Sequence, residues 1–182
     1  MAEIKGTKTE QNLLKAFNTE SSVRSKYTFF AAIAREDGYE QIAEVFEKAA
    51  DNEKEHARVW FKLLSGGKMP RTTENLKSAI DGENNEWSDM YKNMAADARD
   101  EGFNDIAFLF DSIGAVEKEH KERYIKLLTD IENNTIFTKK EEKSIWICRC
   151  CGYSTDSESP PEICPVCEYP KAYFTLQTIE VK

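Results

Sequence analysis

The chain has 182 residues, enough for one sizeable core and a small annex, and its 33 Asp and Glu against 25 Lys and Arg give a formal net charge of -8. Basic residues are interleaved with acidic ones, which excludes a phosphate-binding stripe and with it a nucleic-acid partner. The N-terminus, MAEIKGTKTEQ, has no apolar leader and no run of about 18 apolar residues occurs, so no membrane span is expected and the expected location is cytoplasmic.

From the N-terminus, Leu13, Phe17, Glu20, Tyr27, Ala31 and Ala34 recur at helical spacing and predict a first amphipathic helix. Gly38 interrupts it, and Ile42, Phe46, Ala49, Glu53, His56, Trp60 and Leu63 form the stripe of a second. Gly66, Gly67 and Pro70 end that helix, with Thr73 placed to cap the next. The third stripe runs Leu76, Ile80, Glu83, Trp87, Met90, Met94, with Glu86 one turn beyond Glu83. The fourth runs Ile106, Phe110, Ile113, Glu117, His120, Tyr124, Leu127, Ile131. A polar stretch at 135–143, containing the charge run from Lys139 to Lys143, then reads as a hinge between a bundle at 1–134 and a small domain at 144–182. Within that domain Ile145-Trp146-Ile147 and Tyr173-Phe174-Thr175-Leu176 predict short strands.

The chain's only two histidines lie in a repeated tetrapeptide, Glu53-Lys54-Glu55-His56 and Glu117-Lys118-Glu119-His120. The same offset relates Ala34-Arg35-Glu36-Asp37-Gly38-Tyr39 to Ala98-Arg99-Asp100-Glu101-Gly102-Phe103, and Lys62-Leu63-Leu64 to Lys126-Leu127-Leu128. This is an internal duplication of an αα-hairpin, and two hairpins predict an all-α four-helix bundle. If the second and third helices ran parallel, the linker would have to return along about 30 Å of helix, which roughly nine extended residues barely span. Either the helices end early or the hairpin crosses into a second chain.

In both Glu-x-x-His pairs the side chains share one helix face, and that face is the apolar one. A single such pair is commonly a solvated surface. Two of them on apolar stripes that offer no Lys or Arg at the matching level require a cation from outside, because an uncompensated buried carboxylate costs several kcal/mol. A Glu-x-x-His on each of two helices with a Glu from each of the other two is the ligand set of a carboxylate-bridged dimetal centre. Glu20 supplies one remaining ligand, and Glu83 and Glu86 both compete for the other. Oxygen-rich sites with two imidazoles suit iron or manganese better than zinc. Tyr27 and Tyr91 lie within two turns of Glu20 and Glu86 and are either hydrogen-bond donors to the site or ordinary core tyrosines.

All five cysteines lie between 148 and 167. Cys148-x-x-Cys151 and Cys164-x-x-Cys167 form a tetrathiolate pattern, with Cys150 left over as a solvent-facing spectator. A segment of about 38 residues leans on its metal for stability, and S4 geometry alone accepts zinc or iron.

These residues together resemble the rubrerythrins, ferritin-like di-iron proteins with a C-terminal rubredoxin-type domain. The resemblance implies that Glu20, Glu53, Glu83, Glu86, Glu117 and His120 are iron ligands, with Glu53 and Glu117 bridging. It also implies that Glu86 and His56 exchange on one iron with redox state, and that Cys148, Cys151, Cys164 and Cys167 hold a mononuclear iron. The implied activity is reduction of hydrogen peroxide to water, with electrons from a rubredoxin or an NAD(P)H-dependent reductase, in a head-to-tail homodimer serving oxidative-stress defence. The competing readings are an oxygen-using ferroxidase, for which the cysteine-rich tail has no use, and an electron carrier with structural zinc, which leaves the buried acids unexplained.

Overall fold

A computed structural model describes residues 3–139, 142 and 144–178, and the chain divides after Arg71 into two compact units. The first is one helical hairpin, α1 (Lys8–Glu36) and α2 (Glu40–Leu64). Thr7 caps α1: the Glu10 amide donates to Thr7 Oγ1 at 3.1 Å, while the Glu10 carboxylate accepts from the Gly6 amide at 2.7 Å, satisfying donors that the first turn leaves orphaned. At the hairpin corner the Tyr39 amide reaches back to the Ala34 carbonyl (2.7 Å) across Gly38 at φ +84°. That left-handed conformation is open to glycine at little cost.

The second unit contains the duplicate hairpin. Its first arm is α3 (Thr72–Asn85), a π-helical turn (Glu86–Met90) and α4 (Tyr91–Asp100), and its second arm is α5 (Asn104–Glu132). Helix α3 starts at Thr72, so Thr73 lies inside the first turn and does not cap it. The corner is closed as in the first hairpin, with Phe103 N to Ala98 O at 2.7 Å and Gly102 at φ +88°. The interhelical ion pair is duplicated too: Arg35 reaches Glu47 at 2.7 Å, and Arg99 reaches Asp111 across the matching positions.

The buried seam of each hairpin is made of small residues. Ala31, Ala34 and Ala43 cluster near the corner of the first, with Ala50 and Ala57 buried farther along α2, and Ala95 and Ala98 accompany Ala107 and Gly114 in the second. This differs from the expected stripes of large residues: Ala50 is buried where Ala49 was expected, and Ile42 and Ile106 remain exposed. Two helices alone enclose only a narrow strip, and methyl-sized side chains let the backbones approach most closely there.

After α5 the chain enters a three-stranded antiparallel sheet in the order β2-β1-β3, formed by β1 (Ser144–Cys148), β2 (Ser154–Thr155) and β3 (Phe174–Thr178). Strand β2 was not foreseen, and Tyr173 belongs to a short 3-10 turn rather than to β3. Trp146, Cys148, Cys164 and Phe174 form the core, with Phe137 and Leu176 packed against them. Part of the expected hinge, residues 140, 141 and 143, lies outside the described residues. Before it, the Lys139 amide donates to the Glu158 carbonyl at 2.6 Å and its ammonium meets Asp156, so Lys139 is held by the small domain. Among the described residues no helix is long and apolar enough to cross a membrane.

Candidate metal centres

Glu20 from α1 and Glu53 and His56 from α2 bring one ligand atom each within 4.8 Å of one another. His56 Nδ1 lies 2.9 Å from Glu53 Oε2. The Glu20 carboxyl is pushed up, first by its hydrogen bond with Glu53 and then by burial, while Glu53 is held down by Glu20 and His56. Two carboxylates this close share a proton when no cation lies between them. The His56 side chain is 56% exposed against 19% for Glu53, so within the hairpin the site sits at the edge of the seam rather than in a sealed core.

The second unit repeats the arrangement with Glu83, Glu117 and His120, again within 4.8 Å. His120 Nδ1 is 2.7 Å from Glu117 Oε2 and 3.8 Å from Glu83 Oε1. Burial raises the Glu83 carboxyl, and the negative charges of Glu117 and Glu86 raise it further. Glu86 stands outside this triad, yet its charge reaches both Glu83 and Tyr91.

The two tyrosines differ. The Tyr91 hydroxyl is pushed up by burial and then by the negative charges of Glu86, Glu117 and Glu83, which keeps it protonated. Both rings pack on the phenylalanine at the matching position, Tyr27 on Phe46 at 5.8 Å and Tyr91 on Phe110 at 6.1 Å, and Tyr27 also lies 6.1 Å from Phe30.

The π-turn was missed in the sequence, although its signal is present. Seven residues separate Glu20 from Tyr27, whereas eight separate Glu83 from Tyr91. Seven α-helical steps return a side chain to within about 20° of its starting face, and eight leave it about 80° away. The wider turn absorbs the extra residue. Trp87, within it, lies under Lys118 and Lys121, whose ammonium groups stand 5.5 and 5.0 Å from the ring.

In the small domain Cys148, Cys151, Cys164 and Cys167 converge, and Cys150 is exposed outside the group. The two knuckles are built alike. The Cys148 amide donates to Tyr153 O and the Cys164 amide to Tyr169 O, both at 2.8 Å, and the residue after each second cysteine, Gly152 or Glu168, is left-handed at φ 77° or 61°. The Cys148 thiol is pulled down to about 7, foremost by the backbone N–H of Cys151. The Sγ atoms of Cys148 and Cys167, and of Cys151 and Cys164, are 3.7 Å apart. A tetrahedron with metal–sulfur bonds of about 2.3 Å has edges of about 3.8 Å. The four thiols therefore fit an Fe(Cys)4 site, and the Glu/His groups fit a carboxylate di-iron site.

Comparison with known proteins agrees. The family model described as Rubrerythrin matches residues 11–128 and again 74–145, and that of the rubrerythrin rubredoxin-like domain matches 146–175. The chain is 47% identical to rubrerythrin of Porphyromonas gingivalis, over 94% of this chain and 90% of that one. It is 44% identical to rubrerythrin-1 of Clostridium acetobutylicum and 38% identical to rubrerythrin of Nitratidesulfovibrio vulgaris, with 97% of each chain covered in both cases. A solved structure described as fully reduced, all-ferrous nigerythrin is 31% identical, covering 97% of this chain and 92% of that one, with a TM-score of 0.37.

Proposed function

Because this chain belongs to the rubrerythrin family of oxidoreductases, with di-iron and rubredoxin-like parts, we propose that it reduces hydrogen peroxide to water at the di-iron site. In this reading residues 1–134 carry the reaction, 135–143 tether, and 144–182 deliver electrons from a rubredoxin or an NAD(P)H-dependent reductase. A homodimer working in the cytoplasm completes the proposal.

The observation that carries the reading is the coexistence, in one chain, of two Glu/Glu/His triads and a tetrathiolate. Reducing one peroxide consumes two electrons and two protons and yields two waters. When bound, the paired irons supply those two electrons, and the Fe(Cys)4 centre returns them singly.

The protein's own groups then have distinct tasks. Glu20, Glu53, Glu83, Glu86, Glu117 and His120 would hold the metals. His56, the more exposed imidazole, would serve as the ligand that Glu86 can replace, a carboxylate in place of a neutral imidazole offsetting one unit of positive charge. Tyr91 keeps its proton against three carboxylates and donates from its hydroxyl to the substrate oxygen. Cys148, Cys151, Cys164 and Cys167 hold the mononuclear iron.

The test is to reduce the iron-loaded chain without oxygen, add one equivalent of hydrogen peroxide, and follow the visible ferric tetrathiolate band with the near-ultraviolet band of an oxo-bridged diferric pair. Both bands returning quickly with peroxide and slowly with oxygen support the proposal. Faster return with oxygen favours a ferroxidase, and absence of the tetrathiolate band removes the internal electron path.

A further inference from the structure

Removing Glu86 from the comparison brings the two hairpins into register: Glu83-Asn84-Asn85-Trp87-Ser88-Asp89-Met90-Tyr91 then parallels Glu20-Ser21-Ser22-Val23-Arg24-Ser25-Lys26-Tyr27. Asn84, Asn85 and Asp89 then fall opposite Ser21, Ser22 and Ser25, Trp87 pairs with Val23, and the flanking Glu and Tyr coincide, while Ser88 and Met90 fall opposite Arg24 and Lys26. Upstream, Thr72, Asn75, Leu76, Ala79 and Glu83 repeat Thr9, Asn12, Leu13, Ala16 and Glu20 at an offset of 63. Downstream, Tyr91, Ala95, Ala98 and Arg99 repeat Tyr27, Ala31, Ala34 and Arg35 at an offset of 64. The extra residue falls within the interval that contains the only π-helix among the described residues.

A π-turn is a wider ring, here closed by the Tyr91 amide on the Glu86 carbonyl, with the Ser88 hydroxyl donating to the Asn84 carbonyl at 2.6 Å. Its exit meets α5 at Gly114. A Cβ built on Gly114 would stand 3.2 Å from Tyr91 Cβ, an atom fixed to the backbone that can yield only if the helix moves. The matching position of the first hairpin, opposite the regular helix that carries Tyr27, is Ala50, and it is buried. Gly114 does not have a left-handed backbone. Its lack of a side chain therefore serves clearance, at a cost of about 1 kcal/mol in helix propensity.

We propose that Gly114 is the positioning residue for the π-turn that contains the extra residue: by lacking a side chain it makes room for this turn and so holds Glu86 beside Glu83 and Tyr91. The second half-site is then the first half-site plus one carboxylate, added without displacing the glutamate before it or the tyrosine after it. The clearance argument stands on packing alone, whereas the role of Glu86 as a ligand rests on the proposed function.

Four full-length variants test both parts: Gly114→Ala, deletion of Glu86, the two combined, and Glu86→Gln. In the otherwise native chain Gly114→Ala is expected to lower the melting midpoint of the metal-free protein by about 2–6 °C. In the Glu86-deleted chain it is expected to raise the midpoint by about 2–4 °C, the ordinary gain of alanine over glycine in a helix. The deletion itself is expected to melt no lower than Glu86→Gln. Equal effects of Gly114→Ala in both backgrounds overturn the proposal. So does a deletion variant that no longer melts cooperatively, because the proposal holds that a regular helix fits this hairpin.

Cobalt(II) titration, read from the weak d–d bands of oxygen- and nitrogen-ligated metal, tests the other part. Glu86→Gln and the deletion are each expected to weaken binding about tenfold or more, and Gly114→Ala to weaken it only when Glu86 is present. Unchanged cobalt affinity in Glu86→Gln with the melting pattern intact removes Glu86 from the ligand set and leaves the insertion standing.

Discussion

Substituting Cys164 by serine should unfold the small domain and leave the helices standing. Cys148 and Cys164 are, with Trp146 and Ser144, the largest fully buried side chains among the described residues, so half of that group are expected metal ligands. The aromatic anchors Trp146 and Phe174 bury roughly 150–250 Å² each, which at about 25 cal/mol per Å² contributes about 10 kcal/mol together. A structural metal in a domain this small contributes about 10–16 kcal/mol. Losing one thiolate thus weakens a stabilisation as large as the aromatic core supplies, and Cys164→Ser also buries a hydroxyl in its place. Hydrogen exchange followed by mass spectrometry reads the outcome locally. The Cys148 amide, bonded to Tyr153 O, and the residue 164 amide, bonded to Tyr169 O, should lose protection together with β1 and β3, while peptides from α1 to α5 keep theirs. Cys150→Ser, at an exposed position outside the thiol group, should leave protection and the tetrathiolate band unchanged. If β1 and β3 stay protected in Cys164→Ser, the domain is held by its core and the reasoning is wrong.

Glu53→Gln and Glu117→Gln should each lower the iron bound per chain by oxygen and nitrogen donors while leaving the tetrathiolate iron intact, checked by metal analysis alongside the visible band. Tyr91→Phe should slow peroxide reduction about tenfold or more, whereas Tyr27→Phe, removed from an aromatic group, should change it less than about threefold; equal effects in stopped-flow mixing would refute the assigned difference. The Arg35 guanidinium holds the Glu47 carboxyl below its usual range, so this pair stabilises the fold above the ordinary carboxyl pKa and the benefit is lost as pH falls through the depressed value. The melting difference between the native chain and Arg35→Met should therefore be present at pH 7, shrink to nothing in strong acid, and diminish in molar salt because both side chains are largely exposed.

The sequence made the duplicated hairpins and the convergence of the Glu/His and cysteine groups legible because each rests on a short-range rule. A Glu and a His three positions apart on a helix must share a face, and two Cys-x-x-Cys knuckles must converge if they hold one metal. The hairpin corners at Gly38 and Gly102 were likewise visible as local signals. What escaped was set by packing between elements. Periodicity marked Ile42 and Ile106 as core residues, but the strip that two helices can close is only alanine-wide, and Ala43, Ala50 and Ala57 fill it at heptad spacing. Strand β2 escaped because two residues carry no period, and it exists through its pairing with Trp146 and Ile147.

The π-turn escaped for a different reason. The offset of 64 that aligns His56 with His120 places Asn84, not Glu83, opposite Glu20. The mismatch is small in sequence and large in structure, since one residue rotates everything beyond it by about 100° unless the helix widens. The widened turn keeps Tyr91, Ala95 and Ala98 on the faces their counterparts occupy, so the alanine seam and the duplicated arginine pair survive the insertion. The departure from symmetry is thus confined to one turn and the glycine facing it. It is also where the second hairpin has a carboxylate, Glu86, that the first does not. The Glu/Glu/His group of the second hairpin thus has one more carboxylate beside it, Glu86, than the group of the first.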